Sequence, residues 1–216
     1  MKARFSSFYN FIIYKYRKAI RFYYIKKIGC RLPSSITIVC NNCFGARIYQ
    51  DLHMPYNSPT AGLYIQFPDY ILFLQHLKDY CSQPISFKNA GCQEISNREG
   101  YPIGVLSYDK EEIVVHFLHY KSQEEAKEKW ERRCKRIDFD NLLIIGSETD
   151  GCQKEDIEKF ANLTYHNKIF FTKNRYDLNC TYYLKAFNKK QFTNLYAFAH
   201  LGYRGIWNNL FKHTNR

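Results

Sequence analysis

The sequence predicts an α/β protein with α/β/α layers around a mixed, mainly parallel sheet, preceded by an N-terminal amphipathic helix. Apolar, β-branched runs of strand length alternate with helical patterns along the chain. Hydrophobic residues make up 45% of the 216 positions, which is enough for one sizeable core. Positive charge is concentrated near the N-terminus. We therefore expect a basic arm over residues 1–32 and a single α/β domain over residues 33–216.

The predicted arm is cationic and amphipathic. Nine of the 32 basic residues lie in the first 31 positions and no acidic residue precedes Asp51, so the rest of the chain carries only +3 of the net charge of +12. This distribution argues against a DNA-coating surface. Interleaved charges also exclude a transmembrane helix or an export signal. One helical stripe is apolar: Phe5, Tyr9, Ile12, Tyr16, Ile20 and Tyr23.

Such a helix is typical of peripheral attachment to an anionic membrane surface. The main alternative is a helix packed on its own domain, and a less favoured one is an arm that meets nucleic acid or a protein partner. Eight cysteines are too sparse for a disulfide scaffold, so reduced thiols are expected. Together these features predict a cytoplasmic protein held at the inner face of the membrane.

The first strand leads into the first candidate site. The run Ser35–Cys40 is predicted to be a strand, followed by a tight loop and a helix. Ligands in open α/β sheets lie beyond the carboxyl ends of strands. Asn41, Asn42 and Gly45 at this junction are therefore predicted to bind substrate through amides and free helix N–H groups, with a simple helix cap as the alternative.

The elements after this loop follow in a regular order. A turn-rich loop over residues 53–60 precedes a short strand over 63–67, and its Ser58 and Thr60 are predicted to face the same cleft. The next patterns predict a helix over 69–80, a strand over 84–87, a hairpin of strands 101–106 and 112–119, and a helix from the Ser122–Glu125 capping box to about Arg136. The remaining patterns predict strands over 141–146, 168–172 and 181–187 and helices over 154–163 and 190–200.

Several separated motifs occur together in one order. They are Cys40–Gly45, Tyr49–Asp51, Pro55–Leu63, Tyr101–Gly104, His116–Tyr120 and Glu125–Arg133. Over about residues 34–200 this pattern resembles the bacterial domain-of-unknown-function family numbered 1919. Members are commonly labelled exopolysaccharide or capsule biosynthesis proteins, and in places acyl- or glycosyltransferases. The resemblance implies a polysaccharide pathway and a sugar or lipid-linked sugar as substrate.

Cys43 is a candidate nucleophile, for which His116 or His119 could serve as base. On one regular strand these two histidines would point to opposite faces, so we expect one of them to face the cleft, with a purely structural histidine as the alternative to a catalytic one. Either histidine could also deprotonate an acceptor hydroxyl, and Tyr120 beside them is predicted to contact substrate. Cys40 and Cys43 have the spacing of half a zinc site, but no second pair follows, so no metal site is predicted.

The cations of one predicted helix suggest a donor. Lys129, Arg132, Arg133 and Arg136 recur at helical spacing and could clamp the pyrophosphate of a nucleotide-sugar or lipid-linked donor, with a solvated face as the alternative. Asp138 and Asp140 resemble the acidic pair by which some glycosyltransferases hold a metal and diphosphate, although a turn also explains them. We therefore favour glycosyl transfer to a sugar acceptor over acyl transfer, and either over a non-catalytic scaffold role. A nucleotide-sugar donor is the one cofactor that these patterns suggest, and they leave the requirement for a divalent metal open.

Overall fold

The computed structural model describes residues 2–88, 100–149, 151–190 and 192–212, with side chains in the first helix from residue 9 onward. The strands are β1 (Thr37–Cys40), β2 (Ser86–Phe87), β3 (Ile103–Tyr108), β4 (Glu111–His116), β5 (Leu142–Ser147), β6 (Lys168–Thr172) and β7 (Thr181–Tyr183). The α-helices are α1 (Lys2–Gly29), α2 (Phe44–Asp51), α3 (Asp69–Gln75), α4 (Leu77–Ser82), α5 (Gln123–Cys134), α6 (Lys154–Asn162) and α7 (Ala199–Ile206). A 3₁₀ turn spans Lys185–Asn188 and a π-helical turn spans Trp207–Phe211.

The predicted α/β class and the N-terminal helix are confirmed. The strands form a parallel sheet in the order β1-β5-β6-β7 and a separate antiparallel sheet in the order β2-β3-β4. The hairpin strands β3 and β4 therefore pair with β2 and not with the parallel strands. Asp109 and Lys110 close the hairpin with positive φ angles of 46° and 68°, as a tight two-residue turn requires.

Both faces of the parallel sheet are buried, because alternate residues along its strands enter two different cores. Val39, Ile144 and Phe170 pack into a core shared with α3, α4, α5, α6 and the antiparallel sheet. Residues from the other strand face, such as Ile145 and Phe171, pack with α1, α2 and α7. This produces the predicted layers and leaves the carboxyl edge of the parallel sheet available for a cleft.

Several local predictions differ from the structure. The predicted strand 181–187 ends at Tyr183, and Lys185–Asn188 form a 3₁₀ turn. Residues 63–67 form no strand, and only Tyr64 makes an isolated bridge, to His116. The predicted helix over 69–80 is broken at His76 into α3 and α4. The terminal helix begins only at Ala199, while most of the 190–198 stretch is irregular.

Helix α1 buries a different face from the predicted stripe. Ile25 and Ile28 are buried in the core, and Arg21 pairs with Asp51 at 2.6 Å. Tyr9, Ile12, Tyr16 and Tyr23 of the stripe are exposed, and the side chain of Phe5 lies outside those described. None of the helices in the described ranges has the length and hydropathy needed to cross a bilayer.

Candidate active site

A cleft opens where the carboxyl ends of β1 and β5 meet. These strands pair in parallel, with Cys40 opposite Ile145, so the loops that follow them emerge side by side. The Asn42 amide Nδ2 donates to the Ser147 hydroxyl at 3.0 Å, and Ser147 is in turn 2.8 Å from the Thr149 hydroxyl. A polar chain therefore ties the two strand ends together along one wall of the cleft.

Asn42 also contacts the first turn of helix α2. Its Oδ1 accepts a hydrogen bond from the Phe44 N–H at 3.1 Å, which satisfies one of the N–H groups that a helix start leaves without an acceptor. The cap alternative thus holds for Asn42, even though its side chain lines the cleft. Cys43 is the N-cap residue of α2, where the partial positive charge of the helix N-terminus favours negative charge on sulfur.

The structure brings Cys43 and His119 together. The Cys43 Sγ lies 3.4 Å from the His119 Nε2, although 76 positions separate the two residues in the chain. Strand β4 ends at His116, so His119 lies in the following turn. The direction of its side chain is therefore not set by the alternation of side chains along a strand. Gly62, with a φ of 79°, lies against the His119 ring: a Cβ there would be 3.8 Å from the ring Cδ2. Imidazole in this position can accept the thiol proton.

His116 is positioned elsewhere. Its backbone N–H and carbonyl pair with those of Tyr64 at 2.9 and 3.0 Å, and its Nδ1 lies 3.4 Å from the Tyr101 hydroxyl. His116 does not line the cleft. Of the two candidate bases, the structure therefore places only His119 against the thiol.

The cleft has two chambers that share Cys43, His119 and Tyr196. The first, of about 430 Å³, is lined by amides and hydroxyls, among them Asn42, Ser147, Thr149, Thr193 and Asn194. The second, of about 290 Å³, is cationic and aromatic, with Tyr56, Tyr120, Lys129 and Arg133. No carboxylate of the described residues lines either chamber. The thiol therefore lies between a neutral polar chamber and a positively charged one.

Arg133 is the buried cation of the second chamber, with 7% of its surface exposed. Its guanidinium donates to the Ala61 carbonyl at 2.7 Å and to the Tyr120 hydroxyl, and it lies 5.0 Å from the centroid of the Tyr56 ring. No ion pair joins it to a carboxylate within the described ranges. Burial raises the pKa of the Tyr120 phenol, while the charge of Arg133 opposes that rise. An anionic ligand would compensate the buried charge.

The other two arginines of the predicted clamp do not reach the cleft. Arg132 is exposed and pairs with Glu128 at 2.8 Å one turn away, and Arg136 is also exposed. Arg132 lies on the exposed side of α5 and Arg136 lies beyond the end of this helix, so the solvated-face alternative describes both. Only Arg133, on the same face as Ala126 and Trp130, points inward.

Four further predicted substrate-binding residues lie beneath the cleft surface. Asn41 is fully buried and its carbonyl accepts from the Ile65 N–H at 3.0 Å. The Thr60 hydroxyl accepts from the Cys40 N–H at 3.2 Å and lies 3.0 Å from that of Ser58. A Cβ on Gly45 would lie 2.7 Å from the Cys40 Cβ, so its glycine lets α2 pack closely on β1. These residues support the cleft floor, and the 41–45 and 58–60 loops do adjoin.

The acidic pair lies at the other end of the sheet. Asp138 and Asp140 precede β5, whereas the cleft follows it. The Asp138 carboxylate accepts from the Asp140 N–H at 3.1 Å and from the Asn141 amide at 2.9 Å, which makes a turn. Within the part of the chain that the structure describes, no group of three or more His, Cys, Asp or Glu side chains could hold a metal.

Sequence reasoning missed several cleft residues. Ser147 and Thr149 follow a buried parallel strand, so the rule that ligands lie beyond carboxyl strand ends could have identified them. Lys129, in contrast, belongs to the predicted cationic clamp: it lies four residues before Arg133 on α5 and lines the same chamber, paired with Glu125 at 2.5 Å. Tyr196 has no such signal, because it lies in an irregular segment that the sequence predicted as helix.

Comparison with known proteins identifies a family and a relative. The family model described as a domain of unknown function (DUF1919) matches residues 15–211. An uncharacterized protein of Haemophilus influenzae is 35% identical over 185 residues, covering 84% of each chain. The family match begins within α1, so the resemblance extends further toward the N-terminus than the motifs of residues 34–200 indicated. This agrees with the burial of Ile25 and Ile28.

Proposed function

We propose that this chain, which belongs to the domain-of-unknown-function family DUF1919, catalyses covalent acyl transfer to a sugar hydroxyl during bacterial surface-polysaccharide assembly. The observation that carries the proposal is the 3.4 Å approach of the Cys43 thiol to the His119 imidazole in an accessible cleft. A nucleophile with an adjacent base is the arrangement that covalent catalysis requires.

The proposed reaction has two steps, acylation of Cys43 and transfer of the acyl group to the acceptor. The Cys43 sulfur attacks the carbonyl carbon of the acyl donor while His119 Nε2 takes the thiol proton, and the leaving group departs with that proton, which yields a thioester. An acceptor hydroxyl then gives its proton to His119 and attacks the thioester carbonyl. The new ester leaves, and the returning proton restores the thiol. Neither step needs an oxidant, a reductant or a metal.

The lining of the cleft favours acyl over glycosyl transfer. Described residues supply no carboxylate to either chamber, and the Asp138–Asp140 pair lies at the opposite sheet edge. Acyl transfer needs only the thiol, the base and donors for the carbonyl oxygen. Tyr56, Tyr64 and Tyr196 line the chambers and offer the aromatic faces that suit sugar rings.

The cationic chamber indicates the chemistry of one substrate. Arg133 is buried without a carboxylate partner among the described residues, and Lys129 lines the same chamber. Guanidinium binds phosphate through two parallel hydrogen bonds. We therefore expect the donor or the acceptor to carry a phosphate or a carboxylate, as a lipid-linked sugar does.

The proposal predicts burst kinetics with a generic acyl donor. With p-nitrophenyl acetate, the protein should release about one equivalent of p-nitrophenol per chain rapidly and then turn over slowly, because the acyl-enzyme forms faster than water discharges it. Cys43→Ala should abolish the burst, while Cys30→Ala, which removes an exposed thiol outside the cleft, should keep it. A burst of equal size in Cys43→Ala would contradict the proposal.

The outer face of α1 supports placement at the inner membrane surface. On this face Phe11, Ile12, Phe22 and Tyr23 are between 49% and 68% exposed. Lys15 and Lys26 lie among them and are exposed as well. An exposed aromatic surface with interspersed lysines matches the physics of helices that lie in anionic headgroup layers. We therefore propose peripheral contact with the membrane through this outer face.

Liposome sedimentation tests the membrane proposal. Ile12→Asp combined with Phe22→Asp should lower binding to phosphatidylglycerol vesicles about tenfold, because each change puts charge on the inserted face. Its melting temperature should stay unchanged, since both side chains are exposed. Truncating residues 1–28 is a poorer test because it removes the buried Ile25 and Ile28. Phe139→Asp, at an exposed aromatic outside α1, is the matched control, and equal losses in both variants would refute the proposal.

A further inference from the structure

We propose that a second site, a groove between α1 and the C-terminal segment, binds one molecule of an anionic lipid whose head group is a phosphate. The groove encloses about 1010 Å³ and is separate from the cleft of Cys43. One wall is a single face of α1, from Tyr9 to Arg21, and the other includes Phe192, Phe198 and Leu201. The inference does not depend on the acyl-transfer chemistry.

One part of the groove lining is positively charged. The lining contains five cations and, within the described ranges, no carboxylate: Arg17, Lys18, Arg21, Arg47 and Lys189. Arg21 and Arg47 are already paired, at 2.6 and 3.2 Å, with Asp51 behind them. The other three have no ion pair within the described part of the chain, so the groove has unbalanced positive charge that an anion can neutralise.

The charge of Arg17 is held in place by its neighbours. Its guanidinium lies 4.6 Å from the centroid of the Phe198 ring, a cation–π distance. His200 beside it is neutral at physiological pH, because burial and then the charge of Arg17 lower the pKa of its imidazole to about 4. The groove therefore presents a fixed guanidinium beside a neutral imidazole.

The rest of the lining is apolar. Tyr9, Ile13, Tyr14, Phe192, Phe198 and Leu201 contribute aromatic and aliphatic surface. A small inorganic anion would leave this surface wet, and an uncharged lipid would leave the cations unpaired. A phosphate head joined to an acyl chain satisfies both parts. A polynucleotide supplies the phosphates without the apolar chain, so the lining favours lipid.

The groove and the cleft share a wall. Phe187 and Tyr196 line the cleft, whereas Phe192 and Ala197, from the same stretch, line the groove. The rings of Phe187 and Phe192 are in contact, with centroids 4.6 Å apart. A lipid in the groove therefore packs directly behind one side of the candidate active site, where it could hold that wall in position.

Calorimetric titration of the full-length protein with dioctanoyl phosphatidic acid, below its micelle-forming concentration, tests the site without a bilayer. Binding should saturate at about one lipid per chain. Arg17→Gln combined with Lys189→Gln should weaken it at least about tenfold, as loss of charge-assisted bonds to phosphate implies. The control Lys15→Gln with Lys26→Gln removes the same charge outside the groove and should leave affinity unchanged.

Comparison ligands define what overturns the inference. Inorganic phosphate and dioctanoyl phosphatidylcholine should each bind at least about tenfold more weakly. Equal affinity for inorganic phosphate would mean a simple anion site, and equal affinity for phosphatidylcholine would mean an uncharged apolar site. Equal losses of affinity in the control variant, or no binding of the phosphatidic acid, would also refute the inference.

If the double variant unfolds, Lys189→Gln alone, at an exposed position, replaces it in the titration. If the wild-type protein shows the p-nitrophenyl acetate burst but does not bind phosphatidic acid, the lipid site is refuted and the acyl-transfer proposal is not.

Discussion

His119→Ala should slow acylation of Cys43 by p-nitrophenyl acetate about a hundredfold, because it removes the base that takes the thiol proton. The Cys43 Sγ and the His119 Nε2 are 3.4 Å apart, close enough for the imidazole to accept the thiol proton. The measurement is the rate constant of the p-nitrophenol burst, compared at one pH for wild type and variant. The burst amplitude should stay near one equivalent per chain, since the nucleophile is intact.

His116→Ala is the matched control for this prediction. His116 lies three positions away and contacts Tyr101 and Tyr64, but it does not line the cleft. Its substitution should leave the burst rate within about twofold of wild type once the variant is shown to be folded. Equal slowing by both substitutions would mean that the imidazole of His119 has no specific role.

Gly202→Ala should lower the free energy of unfolding by about 2 kcal/mol, the usual cost of overpacking a core. A Cβ at Gly202 of α7 would overlap the Phe44 ring, which is fully buried in α2. The ring cannot withdraw easily, because Phe171 and Tyr203 pack around it with centroids 6.0 and 5.6 Å away. Urea denaturation of both proteins measures the difference.

A double-mutant cycle isolates this contact. Phe44→Leu alone should also destabilise the protein by leaving a cavity, but combined with Gly202→Ala it should cost at least about 1 kcal/mol less than the two separate losses together. Ala19→Val, at an exposed position of α1, should change stability by no more than about 0.5 kcal/mol. Strictly additive losses would show that Gly202 and Phe44 do not constrain each other.

Much of the fold could be predicted from local patterns. The strand-length apolar runs of β1, β5 and β6 are buried on both faces, and the capping box places α5, where the Ser122 hydroxyl accepts from the Glu125 N–H at 3.2 Å. An apolar run does not by itself distinguish a buried strand from a buried connection. Leu63 and Ile65 are fully buried without being in a strand, which explains the failed prediction there.

The sequence predicts the terminal helix over residues 190–200, but the structure has it over Ala199–Ile206, for two physical reasons. The Asn194 side chain accepts from the Ala197 N–H at 2.8 Å, a local bond that competes with helix formation where the sequence predicted a helix. Gly202 and Gly205 then lie within α7 despite their low helix propensity, because Phe44 and Phe171 occupy the space that side chains there would need. Tertiary packing overrides propensity in both places.

The site was only partly predictable. The position of the cleft follows from parallel-strand geometry, and the sequence predicts Cys43 as a candidate nucleophile with His116 or His119 as its base. The choice of His119 depends on where β4 ends and on the Tyr64–His116 bridge, which are long-range features. Arg133 could have been separated from Arg132 and Arg136 by noting that it falls on the same helical face as Ala126 and Trp130.

Peptide mapping of the acetylated protein tests the assignment of Cys43 most directly. After brief exposure to p-nitrophenyl acetate, mass spectrometry identifies which thiol carries the acetyl group. The cleft geometry predicts the label on Cys43 well before it appears on Cys30, although Cys30 is exposed and Cys43 is only partly so. Labelling that follows thiol exposure, with Cys43 unmodified while Cys30 reacts, would contradict the assignment.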